Sequence, residues 1–324
     1  MKNKNILITG GAGFIGSHLV KRLVNLGARV TVIVKYKSLI DCARLASIWD
    51  RINVVEADLR NLDSVIYLKS IKNKFDIIFH LAAYNHVGDS FAHVNEALIT
   101  NLLGTANLFE HGPEYERFIY TATSEVYGFQ EHVPFKENAL PFPISPYAVG
   151  KYSGELYANL KKHQDNRNIV CLRPFNTFGP YQSERAIIPE LISKCIRGET
   201  IKTTKGTQTR EFNYVDNIID GFIASANIVD IPDQPINIGA GDEISIKSLI
   251  KKIHHLTKSE SELLIGALPT RPTEIWRMRA ENKRAKALLN WESKISFEDG
   301  LIKTINWFKN FIELYYGNAG LKTL

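Results

Sequence analysis

Apolar residues along the 324-residue chain fall into two alternating kinds of run. One kind is short and continuously apolar: NILITG (5–10), RVTVIV (29–34), INVVEAD (52–58), FDIIFHLA (75–82), RFIYTAT (117–123) and NIVCLRP (168–174). Runs of this length without polar alternation predict strands covered on both faces. The other kind is longer and amphipathic: SHLVKRLVNLG, ending in Gly27, then VNEALITNLLGTANLFEHG, then YAVGKYSGELYANLKKH. Each of these predicts a helix. Strand–helix–strand repetition predicts an α/β fold, a doubly wound parallel sheet. The pattern breaks at residue 176. Residues 176–212 are polar and punctuated, NYVDNIIDGFIASANI (213–228) is helical again, and QPINIGA reads as another strand. The remainder, to NWESKISFEDGLIKTINWFKNF, reads as mostly helical. The expected division is a main lobe of 1–175 plus 212–239 and a smaller, discontinuous α+β lobe of 176–211 plus 240–324.

Composition changes this picture little. Apolar content of 44% and charge of 23% describe an ordinary globular protein. A net charge of +6, scattered along the chain, is too mild to predict nucleic acid binding and suits an anionic substrate. Cysteines 42, 171 and 195 have no metal or redox spacing, so buried free thiols and no metal site are expected. MKNKNILITGG runs straight into a strand, without a long apolar segment or cleavage site. No membrane span is expected, and the location is expected to be cytoplasmic.

Two motifs carry chemistry. ITGGAGFIGSHL sets Gly10, Gly13 and Gly16 between the first strand and the first helix. Glycines there permit a tight turn, close approach to a pyrophosphate and close helix packing, and the helix N-terminus adds N–H donors. The acidic residue that would bind the ribose of NAD after the second strand is missing; Val34 stands there, followed by KYKS. Lys35 and Lys37 could instead neutralise the 2′-phosphate of NADP, or be a solvated loop pair. Asp58 is placed to accept from the adenine amino group, or is a surface carboxylate. The second motif is YAVGK, with Tyr147 and Lys151 four apart on one helix face. An ammonium near a phenol lowers its pKa, which suits Tyr147 to take a hydroxyl proton.

With TGGAGFIG, HLAA (80–83), TSEVYG (123–128), YAVGK, RPFNTFGP (173–180), TREFNYVDN (209–217) and RPTEIW (271–276), the chain resembles, over nearly its whole length, the extended short-chain dehydrogenases that act on nucleotide sugars. The resemblance implies tightly bound, recycled NADP or NAD. Its site would include Gly10, Gly13, Phe14, Ile15, Gly16, Lys35, Lys37, Asp58, Leu59, Leu81, Ala82, Ala83, Asn101, Tyr147, Lys151 and Pro174. It also implies a nucleoside diphosphate sugar as substrate, held by His86, Asn176, Arg185, Arg210, Arg271 and Glu274. Homodimers or homotetramers that pair helices near Tyr147 are implied too.

Within that family, Thr123, Ser124 and Glu125 are similar to the 4,6-dehydratases of GDP-mannose type, and NTFGPYQSERAIIP is similar to those of the legionaminic acid route; the resemblance implies a GDP-sugar and a role in surface-glycan synthesis. The implied chemistry has Tyr147 take the C4 hydroxyl proton while Thr123 steadies the oxygen. Glu125 then removes the C5 proton, and the C6 hydroxyl leaves. Ser124 stands where some of these enzymes have an acidic Asp, so either Glu125 or Ser124 protonates the leaving group. A 4-epimerase needs no base at 125. UDP-glucuronate decarboxylases share Thr-Ser-Glu but carry an arginine before the tyrosine, where this chain has PISPYAVGK. A non-catalytic cofactor-binding sensor is the remaining alternative, and the intact Thr123, Tyr147 and Lys151 argue against it.

Overall fold

A computed structural model describes residues 1–35, 43–270 and 274–323, with side chains to residue 311. Its centre is a seven-stranded parallel sheet: β1 Asn5–Thr9, β2 Arg29–Val34, β3 Asn53–Glu56, β4 Lys74–His80, β5 Glu114–Thr121, β6 Ile169–Pro174 and β7 Ile236–Ile238. The spatial order is β7-β6-β5-β4-β1-β2-β3. The chain runs outward from β1 to β3, then restarts beside β1 with β4. The loops leaving β1 and β4 therefore part to opposite faces, and the crevice between them is where such sheets bind ligands.

That crevice is tied by a buried relay. Ala82 N donates to Thr9 Oγ1 (3.1 Å), which faces His80 Nδ1 at 2.6 Å; His80 Nε2 faces Thr105 Oγ1 at 2.9 Å, and Thr105 donates to Asn101 O (2.8 Å). Thr105 spends its proton on Asn101 O, so His80 Nε2–H donates to it; with the ring kept neutral by burial, Nδ1 accepts from the Thr9 hydroxyl. Burial pushes its pKa down to about 3, in keeping with that state.

Helices cover both faces. On one, Phe14–Asn25, Ile187–Arg197, Val215–Ala226 and Ile246–Thr257 close a single core over β1, β6 and β7. On the other, Leu62–Ile71, Gly104–His111 and Pro146–Gln164 pack on β4 and β5. Three two-stranded ribbons extend the C-terminal side: Thr177–Phe178 with Asn213–Tyr214, Thr209–Arg210 with Ile244–Ser245, and Ile201–Thr203 with Leu263–Ile265.

The amphipathic run 94–112 differs from its expected single helix. Val94–Leu98 and Gly104–His111 are α-helical, but Ile99–Leu103 widens to a π turn. Asn101 sits at its centre and holds both main-chain groups of Tyr84, accepting from the N–H (2.8 Å) and donating to the carbonyl (3.1 Å). The Pro146–Gln164 helix presses on this turn through Gly154. A Cβ there would lie 2.3 Å from Tyr120 Oη and 2.8 Å from Asn101 O. Among the described residues, no helix is long and apolar enough to cross a membrane.

Candidate active site

Two adjoining cavities of about 620 and 260 Å³ follow the crevice, and Gly10, Gly13, Phe14, Leu81 and Ala83 line both. The glycine loop is a backbone cradle. Gly10 turns at φ +68°, and a Cβ on Gly16 would stand 2.2 Å from Gly10 O. Gly13 caps the Phe14–Asn25 helix with no side-chain bond to its N–H groups, which leaves them for an anion.

The larger cavity also takes in Lys35, Asp58, Leu59 and Ala82. Lys35 stands 3.6 Å from Glu96. Asp58 is gripped by Arg60, with Nη2 at 2.6 Å and the backbone N at 3.0 Å. The Arg60 hydrogen bonds hold its carboxyl below the usual range. Arg60 and Arg44 were not singled out by sequence reasoning. Arg44 lines the same wall and donates to Ala12 O (3.3 Å) and Tyr181 O (3.1 Å). Asn101 lines neither cavity; it shapes the wall through Tyr84. Lys37 lies outside the described residues.

The smaller cavity brings together Ile15, Gly16, Thr123, Ser124, Glu125, Tyr147, Lys151, Pro174 and Asn176. Thr123, two residues beyond β5, caps the short turn Ser124–Tyr127, accepting from Glu125 N at 3.2 Å. Ser145 caps the next helix, accepting from Ala148 N at 3.1 Å, and Pro146 opens it, which brings Tyr147 in at its first turn. Burial raises the Tyr147 phenol to about 12; the Thr123 side chain pulls it back down and Glu125 adds to the rise. Lys151 is 2% exposed, with Nζ 4.6 Å from the Tyr120 ring centre. Burial drives its ammonium down to about 7 against the pull of Glu155. Desolvation therefore outweighs the expected effect of Lys151 on the phenol. Glu125 is also raised by burial; Arg210 counters the rise and Glu274 reinforces it.

Ser124 turns from this chemistry: its hydroxyl donates to Met278 Sδ at 3.6 Å, and Asn176 Nδ2 reaches the same sulfur at 3.7 Å. Met278 comes from 154 positions downstream, and no local pattern marks it.

The second-lobe charges are engaged with one another. Arg210 Nη2 lies 2.6 Å from Glu274, and its Nη1 donates to Thr209 O at 2.8 Å. Arg185 pairs with Asp89, whose N–H donates to His86 Nδ1 at 3.0 Å. His86 and Arg185 thus stand at the larger cavity, and the smaller cavity's lining includes neither. Arg271 lies outside the described residues.

A dinucleotide fits this groove on the structure's own terms. The cradle admits no Cβ, and two buried oxygens on the smaller cavity, Thr121 Oγ1 and Gln182 Oε1, have no hydrogen-bond partner.

A family model described as GDP-mannose 4,6 dehydratase matches residues 7–304. The dTDP-D-glucose 4,6-dehydratase of Homo sapiens is 31% identical over 325 residues, covering 94% of this chain and 90% of that protein. The UDP-glucuronic acid decarboxylase 1 of Xenopus tropicalis is 32% identical over 319 residues, covering 96% of this chain and 73% of that protein. The solved UDP-glucuronic acid 4-epimerase of Bacillus cereus, in complex with UDP-glucuronic acid and NAD, superposes with a TM-score of 0.87 at 29% identity, covering 95% of this chain and 99% of that one.

Proposed function

The chain belongs to the GDP-mannose 4,6-dehydratase family, within the extended short-chain dehydrogenases, and from that premise we propose that it is a nucleotide-sugar 4,6-dehydratase. Its substrate is a nucleoside diphosphate hexose, a GDP-sugar by resemblance, and its product the 4-keto-6-deoxy sugar used in surface glycans. Residues 1–175 plus 212–239 hold the cofactor, and 176–211 plus 240–324 hold the nucleotide sugar.

The cofactor is NAD(P), held by the glycine cradle, Lys35 and Lys151. When bound, it supplies a hydride acceptor for C4 and a donor for C6. The absence of a carboxylate after β2, with Lys35 and Arg44 on that wall, supports NADP. Tyr147 takes the C4 hydroxyl proton, and Thr123 steadies the oxygen. Glu125 removes the C5 proton, which the neighbouring ketone has made acidic. Because Ser124 is turned onto Met278, Glu125 passes that proton to the departing C6 hydroxyl, which leaves as water, and then takes up a solvent proton that restores C5–H in the product. A carboxyl raised by burial suits both halves of that exchange.

The observation that carries this reading is Glu125 lining one cavity with Thr123 and Tyr147. The test is Glu125→Gln on GDP-, UDP-, dTDP- and CDP-hexoses. The variant should oxidise C4 yet lose water at least about 1,000-fold more slowly, with no solvent deuterium at C5. Full-rate 4-keto-6-deoxy product from it would remove Glu125 as the base. A 4-epimerase is the second reading, supported by superposition on a 4-epimerase; it predicts an inverted C4 and no loss of water.

An exposed apolar stripe supports a homodimer or homotetramer that pairs the Pro146–Gln164 helix. Val149, Leu156 and Leu160 form an exposed stripe on the Pro146–Gln164 helix, the two leucines each 51% exposed, with Leu102 and Leu103 alongside on the π turn.

A further inference from the structure

Of the two orphaned oxygens, one has a definite polarity and the other can turn to suit its partner. Gln182 Nε2 donates to Thr177 O at 2.8 Å, which fixes the side chain's orientation and leaves Oε1 as an acceptor without a donor. Thr121 Oγ1, on the last residue of β5, is a hydroxyl free to donate. Both residues line the cavity that holds Tyr147 and Lys151. A buried polar atom left without a partner is costly, so a built site normally supplies one.

The surroundings hold Gln182 in place. His18 Nε2 meets Pro180 O at 3.0 Å, Arg44 Nε donates to Tyr181 O at 3.1 Å, and Gln182 N donates to Gly179 O at 3.3 Å. The carboxamide is presented by a backbone pinned to the glycine-loop half of the molecule.

Each part of a nicotinamide dinucleotide makes a different demand. The pyrophosphate offers only acceptors and cannot satisfy Gln182 Oε1. The adenine amino group belongs at the other cavity, with Asp58. A ribose hydroxyl could serve one orphaned atom at a time, whereas the nicotinamide carboxamide has an N–H₂ to give and a carbonyl to receive on one rigid plane, and so can serve both at once. We propose that Gln182 Oε1 and Thr121 Oγ1 clamp the nicotinamide carboxamide, Gln182 accepting from its amide nitrogen and Thr121 donating to its carbonyl. Neither residue was among the expected site residues. Fixing the amide fixes the rotation of the ring, and hence which ring face meets the substrate carbon. The clamp rests on the cofactor assignment alone and needs no elimination chemistry; an epimerase would use it equally.

The test removes one atom at a time from both partners. NADH is bound to the full-length protein and displaced with NAD⁺, with its 3-acetylpyridine analogue (N–H₂ replaced by methyl) or with its thionicotinamide analogue (C=S in place of C=O). Bound-NADH fluorescence gives the three dissociation constants. The parent should prefer NAD⁺ to the acetylpyridine analogue about tenfold. Gln182→Met should erase that preference, and Gln182→Glu, which keeps an acceptor, should retain it. Thr121→Val should erase the preference over the thio analogue and leave the acetylpyridine ratio alone. If Gln182→Met weakens all three ligands equally, or leaves the ratio at its parental value, the clamp is wrong. Should that variant hold no NADH, Gln182→Glu decides: a kept preference supports the clamp and a lost one overturns it.

Discussion

The cofactor groove and the sugar-nucleotide side are built on opposite plans. The groove is made of main chain: glycines without room for a side chain, a helix N-terminus, and strand ends locked by the His80 relay. Its unsatisfied atoms wait for a ligand. In the second lobe the charges have found each other, Arg210 with Glu274 and Arg277 with Glu243. A main-chain site is ready before its ligand arrives. A site of paired charges must exchange partners, because a part-buried arginine keeps its carboxylate until a diphosphate replaces it. Cofactor affinity should therefore be indifferent to changes at the Arg210–Glu274 pair.

The largest effect should come from filling the cradle. Gly16→Ala puts a Cβ against Gly10 O, and NADH affinity should fall about 100-fold by titration. Arg210→Met should raise KM for the nucleotide sugar about 10–100-fold while NADH affinity stays at the parental value; a parallel loss of NADH binding would erase the contrast. Lys35→Asp should shift preference from NADPH toward NADH about tenfold, measured as a ratio of dissociation constants.

The smallest effect is on stability. The folded pKa of Lys151 is lowered to about 7 by burial, while the unfolded chain binds that proton up to the ordinary lysine range. Between those limits the unfolded state holds more protons, so Lys151 makes stability rise as pH rises from about 7 toward 10. Lys151→Met should flatten the melting temperature over that window. An unchanged slope would show that the ammonium is charged in the fold.

Legibility in the sequence followed chain distance. The sheet, the glycine loop and the Tyr147–Lys151 helix are local patterns, and their spacing is enough to read them. Asp58 was read as open to a ligand because its lock, Arg60, stands two residues on without a motif to mark it. Arg185 and Arg210 stand in the sequence as charges without partners; Asp89 and Glu274, which pair with them, are known only from the fold. Met278 under Ser124 and the Gln182 amide depend on contacts that only the folded chain creates. The π turn had no polar or apolar signature of its own; Tyr84, seventeen residues earlier, is what its Asn101 holds.

The backbone at Pro180 and Tyr181 is held by its carbonyls from two separate elements of the cofactor half, through His18 and Arg44. Such a bridge beside the glycine loop should slow departure of a dinucleotide, which cofactor retained on the purified protein would measure. A cofactor acquired as the protein matures would then be carried through purification, and turnover would run at full speed in buffer to which none has been added.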